Sequence, residues 1–468
     1  MGSGTWWGAP LLDGAGGDVV WTGGGTRVTR AQVRERVAEL VRLLDGHGVR
    51  PRQRVSLRAQ PSFTQLWLLL ALWSRDVQVV LVDPWLTGDE AEELLRLCAP
   101  SHHIRLGGPG RTTTSFRRES EVTVRPATGG RLPDTAHCLV QFSSGATGVP
   151  KVVGRVGDSV LAEVLRFARL DGMPARGDRL LLLHPMSHSL GLIGGVLHAL
   201  HAGSTVVFTD RRDGDGLART AEAEGVTAIF GLPRHFADLA RATTTTRLPA
   251  LRLAVSGGEA LTPAVRDAFT ARHGVAIGQA YGMTEVGVIA ADLRGTHPPP
   301  AVGAPAPGVV VRVVDGELHV RQDSSPYLHG GGTRYVDGWL RTGDLVDRDD
   351  AGVLRLRGRV GSTAWVSGRE IDLLEVEAVL RAHRRVVEAV VVHDDVVEAH
   401  VVVTGAVGSA ELTGWCRTHL SSSAVPARWH VVNALPRTAN GKLIRDAERL
   451  RAAYAAAARP RRSGKRLA

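Results

Sequence analysis

The chain of 468 residues is 43% apolar and carries a formal net charge of +10, and because single hydrophobic cores stop growing at roughly 250–300 residues, we expect two or more globular domains. Its longest strongly apolar run, Leu66–Trp73, is far shorter than the roughly 20 residues of a membrane span, and the N-terminus lacks the order of a signal peptide, so we expect a cytoplasmic protein with no membrane partner. The arginines are spread along the chain and only residues 459–466 form a dense basic run, which disfavours nucleic-acid binding.

The first part of the chain alternates helices with short apolar strands. Thr29 precedes apolar residues at helical spacing and is the expected N-cap of a helix that ends near Gly46 or Gly48. The elements predicted after it are a strand at Arg54–Leu57, a helix at Phe63–Trp73, a strand at Val77–Val82 and a helix at Thr87–Leu97. This alternation predicts a parallel sheet with helices on its faces.

The same pattern continues and then changes twice. Short buried strands are predicted at Leu139–Phe142, Arg179–Leu183, Thr205–Phe208, Ala228–Phe230 and Leu251–Val255. From about residue 300, Pro- and Gly-rich turns separate strands such as Val309–Val314 and Glu317–Val320, which favours antiparallel pairing. After Gly358 the pattern predicts helices at 373–386, 409–420 and 446–458 and a strand pair within 388–405 around Asp394-Asp395.

These elements predict an α/β fold with two domains. The large N-terminal domain, residues 1–358, has mixed or parallel sheets flanked by helices, plus a small β-structured region. A hinge at residues 359–361 leads to a small, mobile α+β C-terminal domain at residues 362–458. Residues 459–468 form a basic tail that we expect to be disordered. The pattern does not indicate an oligomeric state.

Lysine is rare, since only three of the 57 cationic side chains are lysines: Lys151, Lys442 and Lys465. The first two close segments rich in glycine and hydroxyl groups, whereas Lys465 lies in the basic tail. In the segment Val140–Lys151, an apolar strand runs into such a loop. Backbone N–H groups, hydroxyls and an ammonium suit phosphate oxygens, although the spacing is not the Walker pattern and the composition alone also fits a flexible loop.

Six segments carry a more specific signal through their order. They are Ser143–Lys151, Ser256–Glu259, Tyr281–Glu285, Gly338–Leu345, Gly358-Arg359 with Glu375–Glu377, and Pro436–Lys442. In this order they resemble the motifs of the adenylate-forming superfamily, which includes acyl-CoA synthetases, peptide-synthetase adenylation domains and luciferases. The resemblance covers nearly the whole chain.

The resemblance implies an ATP site. Lys151 would neutralise the leaving pyrophosphate, Tyr281 would stack on adenine, Asp344 would accept hydrogen bonds from the ribose hydroxyls, and Arg359 would assist there. The full set of implied ATP-binding residues is Ser143, Ser144, Gly145, Thr147, Gly148, Lys151, Gly257, Gly258, Glu259, Tyr281, Gly282, Met283, Asp344 and Arg359.

The resemblance also implies three catalytic roles. Glu285 would be an oxygen ligand for Mg²⁺, which prefers carboxylates together with substrate phosphates. Thr284 would donate a hydrogen bond to the α-phosphate. Lys442 would hold the carboxylate of the acid and the α-phosphate together in the transition state. For Glu285 and Lys442, the simpler interpretation as a surface residue next to a turn stays open.

The segment His184–Gly191 bears on the identity of the acid. Amino-acid-activating members of the superfamily place an aspartate near here to pair with the α-ammonium group, but no acidic residue occurs from His184 to Gly203. An unpaired buried ammonium is costly. The sequence therefore favours a fatty, aryl or other small organic acid without an α-amino group. His188 is implied to line the acid pocket, with an ordinary core histidine as the alternative.

Three positions depart from the family pattern. Ala146 stands where Ser or Thr is usual, Gly361 where the hinge usually has an acidic residue or lysine, and Glu370 where arginine is frequent. Loss of one hydroxyl at Ala146 predicts weaker nucleotide affinity with binding retained. The other two departures bear on the second half-reaction.

The sequence as a whole predicts an ATP- and Mg²⁺-dependent acid–thiol ligase. The acceptor would be CoA or the phosphopantetheine arm of an acyl carrier protein, and because both end in the same thiol, the sequence hardly separates them. Two alternatives stay open. One is an adenylate-forming amide ligase with an amine acceptor, and the other is a nucleotide-binding protein without turnover.

Overall fold

The structure is a computed structural model that describes residues 6–83, 86, 88–107, 116–143, 151–360, 362–366, 369–437 and 443–458. Its strands are β1 Val19–Gly23, β2 Thr26–Thr29, β3 Arg54–Arg58, β4 Gln78–Val82, β5 His102–Leu106, β6 Val122–Pro126, β7 His137–Ser143, β8 Lys151–Val156, β9 Arg179–Leu182, β10 Thr205–Phe208, β11 Ala228–Gly231, β12 Leu253–Gly257, β13 Ile277–Met283, β14 Gly287–Asp292, β15 Ala301–Pro305, β16 Val311–Val314, β17 Glu317–Arg321, β18 Tyr327–His329, β19 Tyr335–Val336, β20 Trp339–Arg348, β21 Leu354–Arg359, β22 Thr363–Val366, β23 Arg369–Asp372, β24 Val386–His393, β25 Val397–Val403 and β26 Arg428–Val431.

Its α-helices are α1 Arg30–Gly46, α2 Phe63–Ser74, α3 Gly88–Cys98, α4 Gly157–Ala168, α5 His198–Ala202, α6 Gly214–Ala223, α7 Pro233–Arg241, α8 Pro263–His273, α9 Leu373–Arg381, α10 Ser409–His419 and α11 Ala447–Ala458. A π-helix, Leu190–Leu197, runs directly into α5. Short 3₁₀ turns lie at Ala9–Leu12, Gly332–Arg334 and Ser422–Ala424. In the part of the chain that the structure describes, no helix combines the length and the apolar character that crossing a bilayer requires.

The chain divides into two compact units. The first contains Met1–Thr342 and Val346–Leu356, and the second contains Gly343–Leu345 and Arg357–Ala468. Gly343 joins the second unit through its carbonyl, which accepts a hydrogen bond of 2.7 Å from the Val360 N–H. The hinge at residues 359–361 and the boundary at residue 358 stay predictions.

Two sheets organise the first unit. The larger has the order β16-β17-β20-β21-β15-β14-β13-β12-β11-β9-β10-β1-β2, and the smaller has the order β18-β8-β7-β4-β3-β5-β6. The neighbours from β13 through β12, β11, β9 and β10 to β1 are parallel, and those from β7 through β4 and β3 to β5 are also parallel. Antiparallel strands flank both parallel cores, so the predicted α/β class is confirmed.

Helices fill the space between the two sheets because their sequences are apolar where they must be buried. The residues Phe63–Trp73 of α2 are buried on every side, as expected of a helix that is hydrophobic all round. Thr29 caps α1 in a capping box with Gln32, which confirms the predicted start of that helix. On β11, Ala228 and Phe230 face this central layer while Ile229 faces α6, α7 and α8 on the other side.

The second unit is built on the sheet β24-β25-β26. Its two faces are covered by α9 and α10 on one side and by α11 on the other. The predicted strand pair around Asp394-Asp395 is confirmed as the hairpin of β24 and β25. The helix predicted at 373–386 is too long, because it ends at Arg381 and Val386 already pairs with Val403. A valine-rich run that fits a pleated sheet takes over there.

Candidate nucleotide and acid site

The predicted phosphate-binding loop connects two neighbouring strand ends. Strands β7 and β8 are antiparallel, with Ser143 opposite Lys151. The predicted residues Ser144, Gly145, Thr147 and Gly148, and the departure at Ala146, lie outside the described residues. Lys151 itself is described, and its side chain is buried at 9% exposure.

Tyr327 connects Lys151 with the predicted magnesium ligand Glu285. Strand β18 pairs with β8, which places Tyr327 opposite Val153. The Tyr327 hydroxyl donates a hydrogen bond of 3.1 Å to Glu285 Oε1, and Lys151 Nζ lies 5.8 Å from the centroid of the Tyr327 ring, within cation–π range. The fold thus assembles Lys151, Tyr327 and Glu285, residues far apart in sequence, into one cluster.

The protonation of Tyr327 decides which partner donates. Burial raises the pKa of the Tyr327 hydroxyl, and the neighbouring Glu285 carboxylate raises this pKa further. The hydroxyl therefore stays protonated at neutral pH and donates to the carboxylate. Sequence analysis missed Tyr327 because a tyrosine before a turn has no distinguishing pattern, and only its pairing with β8 gives it this position.

Glu285 is only 4% exposed. A buried carboxylate requires polar or charged partners, and Tyr327 supplies one of them. Carboxylate oxygen is also the ligand type that Mg²⁺ prefers in proteins when substrate phosphates complete its shell. The buried Glu285 carboxylate therefore fits the role of a magnesium ligand.

The predicted adenine-side segments lie at the carboxyl ends of two neighbouring strands of the larger sheet. Strands β12 and β13 are parallel neighbours, with Gly257 opposite Ala280, so Gly258 and Glu259 emerge beside Tyr281. Gly258 has φ +83°, a conformation that favours glycine.

The Tyr281–Glu285 segment turns back on itself immediately after β13. The pairing of β13 with β14 shifts register between Tyr281 and Gly282, and a Cβ at Gly282 would overlap the backbone of Gly287. Tyr281, Met283 and Thr284 are half-buried and Gly282 is exposed. This close approach of two strands explains why the position takes glycine.

The predicted acid-pocket segment packs against Gly257 and Gly258 at the carboxyl end of β12. The rings of His184 and His188 meet edge to face with centroids 5.3 Å apart. A Cβ on Gly258 would lie 3.2 Å from His184 Nε2, and one on Gly257 would lie 2.6 Å from Leu190 Cδ2. His188 is therefore close to Gly257 and Gly258, on the side where the resemblance implies that the nucleotide meets the acid.

Two carboxylates from distant parts of the chain reach this segment. The Ser187 hydroxyl lies 3.3 Å from Asp83 Oδ2, and the Ser189 hydroxyl donates to Glu163 Oε1 at 2.6 Å. The absence of acidic residues between His184 and Gly203 is thus a property of the segment and not of its surroundings. Sequence analysis missed both because neither lies in a motif.

Glu163 is fully buried and contacts residues in or next to three other elements. Its Oε2 lies 2.9 Å from Arg155 Nη2 on β8, and its Oε1 accepts a bond of 3.1 Å from the Val288 N–H on β14. Together with Ser189, these contacts connect β8, the π-helix and the strand after Glu285. A Cβ at Gly287 would overlap the Glu163 carboxylate, so glycine there makes room for the network.

Replacing Glu163 with glutamine should lower the free energy of unfolding by about 3–5 kcal/mol, because Arg155 would stay buried without its counter-charge. Arg155 is 5% exposed, so water cannot replace the lost partner. Urea-induced unfolding followed by circular dichroism measures the change. Glu222→Gln on the exposed face of α6 is the matched control and should change stability by less than about 0.5 kcal/mol. Equal stability of both variants would contradict this role.

The predicted ribose-binding pair lies in the second unit. Arg359 Nε is 3.4 Å from Asp344 Oδ1, with side-chain exposures of 53% and 19%. Ser362, next to the predicted hinge, accepts from the Arg359 N–H at 3.2 Å and donates to the Arg359 carbonyl at 2.6 Å. Gly361 and the predicted catalytic lysine Lys442 lie outside the described residues.

Comparison with family models matches both halves of the chain. Residues 14–330 match the model described as AMP-binding enzyme, and residues 375–442 match that of the AMP-binding enzyme C-terminal domain. The chain belongs to the AMP-binding enzyme family. It is an adenylate-forming ligase of the acyl-CoA synthetase type, as the motifs had predicted.

Named relatives and solved structures are similar to this family member over two thirds or more of both chains. An anthranilate–CoA ligase from Pseudomonas aeruginosa is 31% identical over 348 residues, 67% of each chain. A 4-chlorobenzoate–CoA ligase from an Arthrobacter species is 27% identical over 474 residues, covering 90% of this chain and 89% of the relative. Among solved structures, the amide bond synthetase McbA from Marinactinospora thermotolerans has a TM-score of 0.73 and 26% identity, with 96% and 99% coverage.

Proposed function

We propose that this AMP-binding enzyme adenylates an aryl carboxylic acid without an α-amino group and transfers the acyl group to the thiol of CoA. In the first half-reaction a carboxylate oxygen of the acid attacks the α-phosphorus of ATP, and the bond to the β-phosphate oxygen breaks to release pyrophosphate. In the second, the CoA thiolate attacks the acyl carbon, and AMP leaves with the bonding electron pair. Both steps balance without a further reactant.

The observation that carries the proposal is the cluster of Lys151, Tyr327 and Glu285. It puts the Lys151 ammonium over the Tyr327 ring and the Glu285 carboxylate at the hydroxyl of the same tyrosine, at the end of the loop whose motif resembles a phosphate site. Lys151 would neutralise the leaving pyrophosphate, and Thr284 would donate to the α-phosphate. In this role Tyr327 orients the Glu285 carboxylate.

Glu285 would hold the magnesium ion. The ion would supply positive charge for the phosphate oxygens when it is bound. The protein's part is to present the Glu285 carboxylate in one orientation, which the hydrogen bond from Tyr327 does. Burial of Glu285 limits competing hydration of its carboxylate.

The choice of an aryl acid without an α-amino group rests on two kinds of support. The relatives are named for anthranilate and 4-chlorobenzoate. In addition, the Glu163 carboxylate near the acid-pocket segment is already neutralised by Arg155, and Arg58 interacts electrostatically with Asp83. Neither carboxylate is a good partner for an α-ammonium group.

The test is acid-dependent ATP–pyrophosphate exchange with benzoate, 4-chlorobenzoate, anthranilate, octanoate and phenylalanine. We expect aryl acids to support exchange at least about tenfold better than phenylalanine, because an unpaired polar group in the pocket costs about 1–3 kcal/mol. Exchange with phenylalanine alone would overturn the choice of acid, and no exchange with any acid would favour a nucleotide-binding protein without turnover.

A second candidate acceptor is an amine, which would make the product an amide. It is favoured by the similarity to the amide bond synthetase along nearly the whole of both chains. The acid that supports exchange is then offered together with CoA, a phosphopantetheinylated acyl carrier protein or a primary amine, and products are identified by mass spectrometry. Thioester with CoA supports the proposal. Product only with the carrier protein or only with the amine would move the acceptor to that class.

A further inference from the structure

Three potential metal ligands meet on one face of the sheet in the second unit. Glu398 and His400 are two residues apart on β25, so their side chains share a face, and His430 on the parallel neighbour β26 lies directly opposite His400. Glu398 and His400 are fully buried, and His430 is partly buried with 30% side-chain exposure. A strand pair thus presents one carboxylate and two imidazoles together.

The distances are close to those between the ligand atoms of a small cation site. Glu398 Oε2 lies 3.2 Å from His430 Nε2 and 3.8 Å from His400 Nε2. Ligand atoms about 2.0–2.2 Å from a tetrahedral Zn²⁺ are separated by roughly 3.3–3.6 Å. One ligand atom from each of the three side chains lies within 4.8 Å of the others.

His400 provides a second, independent observation at this cluster. It is 0% exposed, yet neither ring nitrogen has a hydrogen-bond partner among the described residues. A buried donor or acceptor without a partner costs about 1–3 kcal/mol and calls for an explanation.

The two oxygens of Glu398 face different partners. Arg428 and Arg451 both contact Oε1, whereas Oε2 is the oxygen nearest both histidines. The same arginines pair with Asp395 and Asp394, so three carboxylates and two guanidinium groups leave one net negative charge around the histidines. Oε2 is therefore the carboxylate oxygen that a cation between the histidines would meet.

The two rings show what binding requires. His400 and His430 are stacked with centroids 4.3 Å apart and planes 8° from parallel. An ion lies close to the plane of each imidazole that coordinates it, so one ring must turn about its χ2 bond. His430 is the ring with room to do so, because it is the less buried member of the pair.

We propose that Glu398, His400 and His430 form a Zn²⁺ site that stabilises the second unit, with water completing the coordination. Two imidazoles and one carboxylate are a ligand set that suits zinc better than Mg²⁺, which prefers oxygen ligands. The site is separate from the Glu285 cluster in sequence and in donor type. It does not depend on the proposed function.

The experiment uses the full chain, stripped with a chelator and then dialysed against Zn²⁺ in excess Mg²⁺, which occupies oxygen-only sites. Wild type should retain one zinc per chain by elemental analysis and unfold at a higher temperature with zinc than without. His430→Ala removes a ligand and should bind zinc at least about 100-fold more weakly. Even residues that only hydrogen-bond to a metal ligand contribute about 10–100-fold to metal affinity.

His419→Ala is the matched control, because it removes an exposed histidine from the same unit and should leave zinc content and thermal shift unchanged. His430→Asn repeats the test in case the alanine variant folds poorly by circular dichroism. The proposal is overturned if wild type retains no zinc, or if the His430 variants retain as much as wild type.

Discussion

Lys442→Ala should abolish acyl-adenylate formation while sparing thioester formation from a supplied acyl-adenylate. In the proposed role the ammonium group lies between two mutually repelling anions, the carboxylate of the acid and the α-phosphate. Positioning and charge stabilisation of this kind are worth about 100–1,000-fold or more in rate. Once the adenylate exists, that task is finished, so the second half-reaction does not need the lysine.

The two half-reactions are measured separately, by ATP–pyrophosphate exchange and by CoA thioester formation from synthetic acyl-adenylate. Lys442→Arg should fail in the first assay as well, because a planar guanidinium does not take the place of a compact ammonium between two anions. Lys465→Ala is the control, since it removes the same residue type from the basic tail and should behave as wild type. Equal loss of both half-reactions would make Lys442 a structural residue.

Glu285→Gln should lower the rate of adenylation by about 100-fold or more and shift its Mg²⁺ dependence to higher concentration. The neutral amide keeps the shape of the side chain and removes the charge that attracts the ion, and losing one electrostatic contact of this type costs about 100–1,000-fold. The measurement is the initial rate of pyrophosphate exchange across a magnesium titration at saturating acid.

Tyr327→Phe is the companion variant, because it keeps the ring beside Lys151 and removes only the hydroxyl that donates to Glu285. A hydrogen bond to a charged group contributes about 1.5–3 kcal/mol, so a loss of roughly 10- to 150-fold is expected, again with a shifted Mg²⁺ dependence. Tyr335→Phe, whose hydroxyl donates to the Gln322 carbonyl, is the control. Unchanged magnesium dependence in Tyr327→Phe would mean that the tyrosine serves packing alone.

The order of motifs was sufficient to predict the family, and periodicity was sufficient to predict most elements. Helix α2 and strand β4 were predicted within one residue at each end, because their apolar residues are continuous and local signals mark where each element begins or ends. The predicted end of α9 was wrong. Helical spacing continues in the sequence after Arg381, but Val386 already pairs with Val403 in the sheet.

The candidate site was predictable only in part, for a physical reason. Glu285 and Lys151 lie in motifs, so their residue types and neighbours make them candidates. Tyr327 and Glu163 do not, because their positions follow from strand pairing and from helix packing between distant segments. No local pattern records such a contact.

By itself, the sequence determined the family and the α/β class and proposed candidate residues for ATP and an acid, because these follow from local order and residue type. The tertiary structure alone decided that a tyrosine links Lys151 to Glu285, that Glu163 pairs with Arg155 next to the predicted acid-pocket segment, and that Glu398, His400 and His430 share one face. Burial and strand register bring together partners that are distant in sequence, such as Lys151 and Tyr327, and both exist only once the chain has folded.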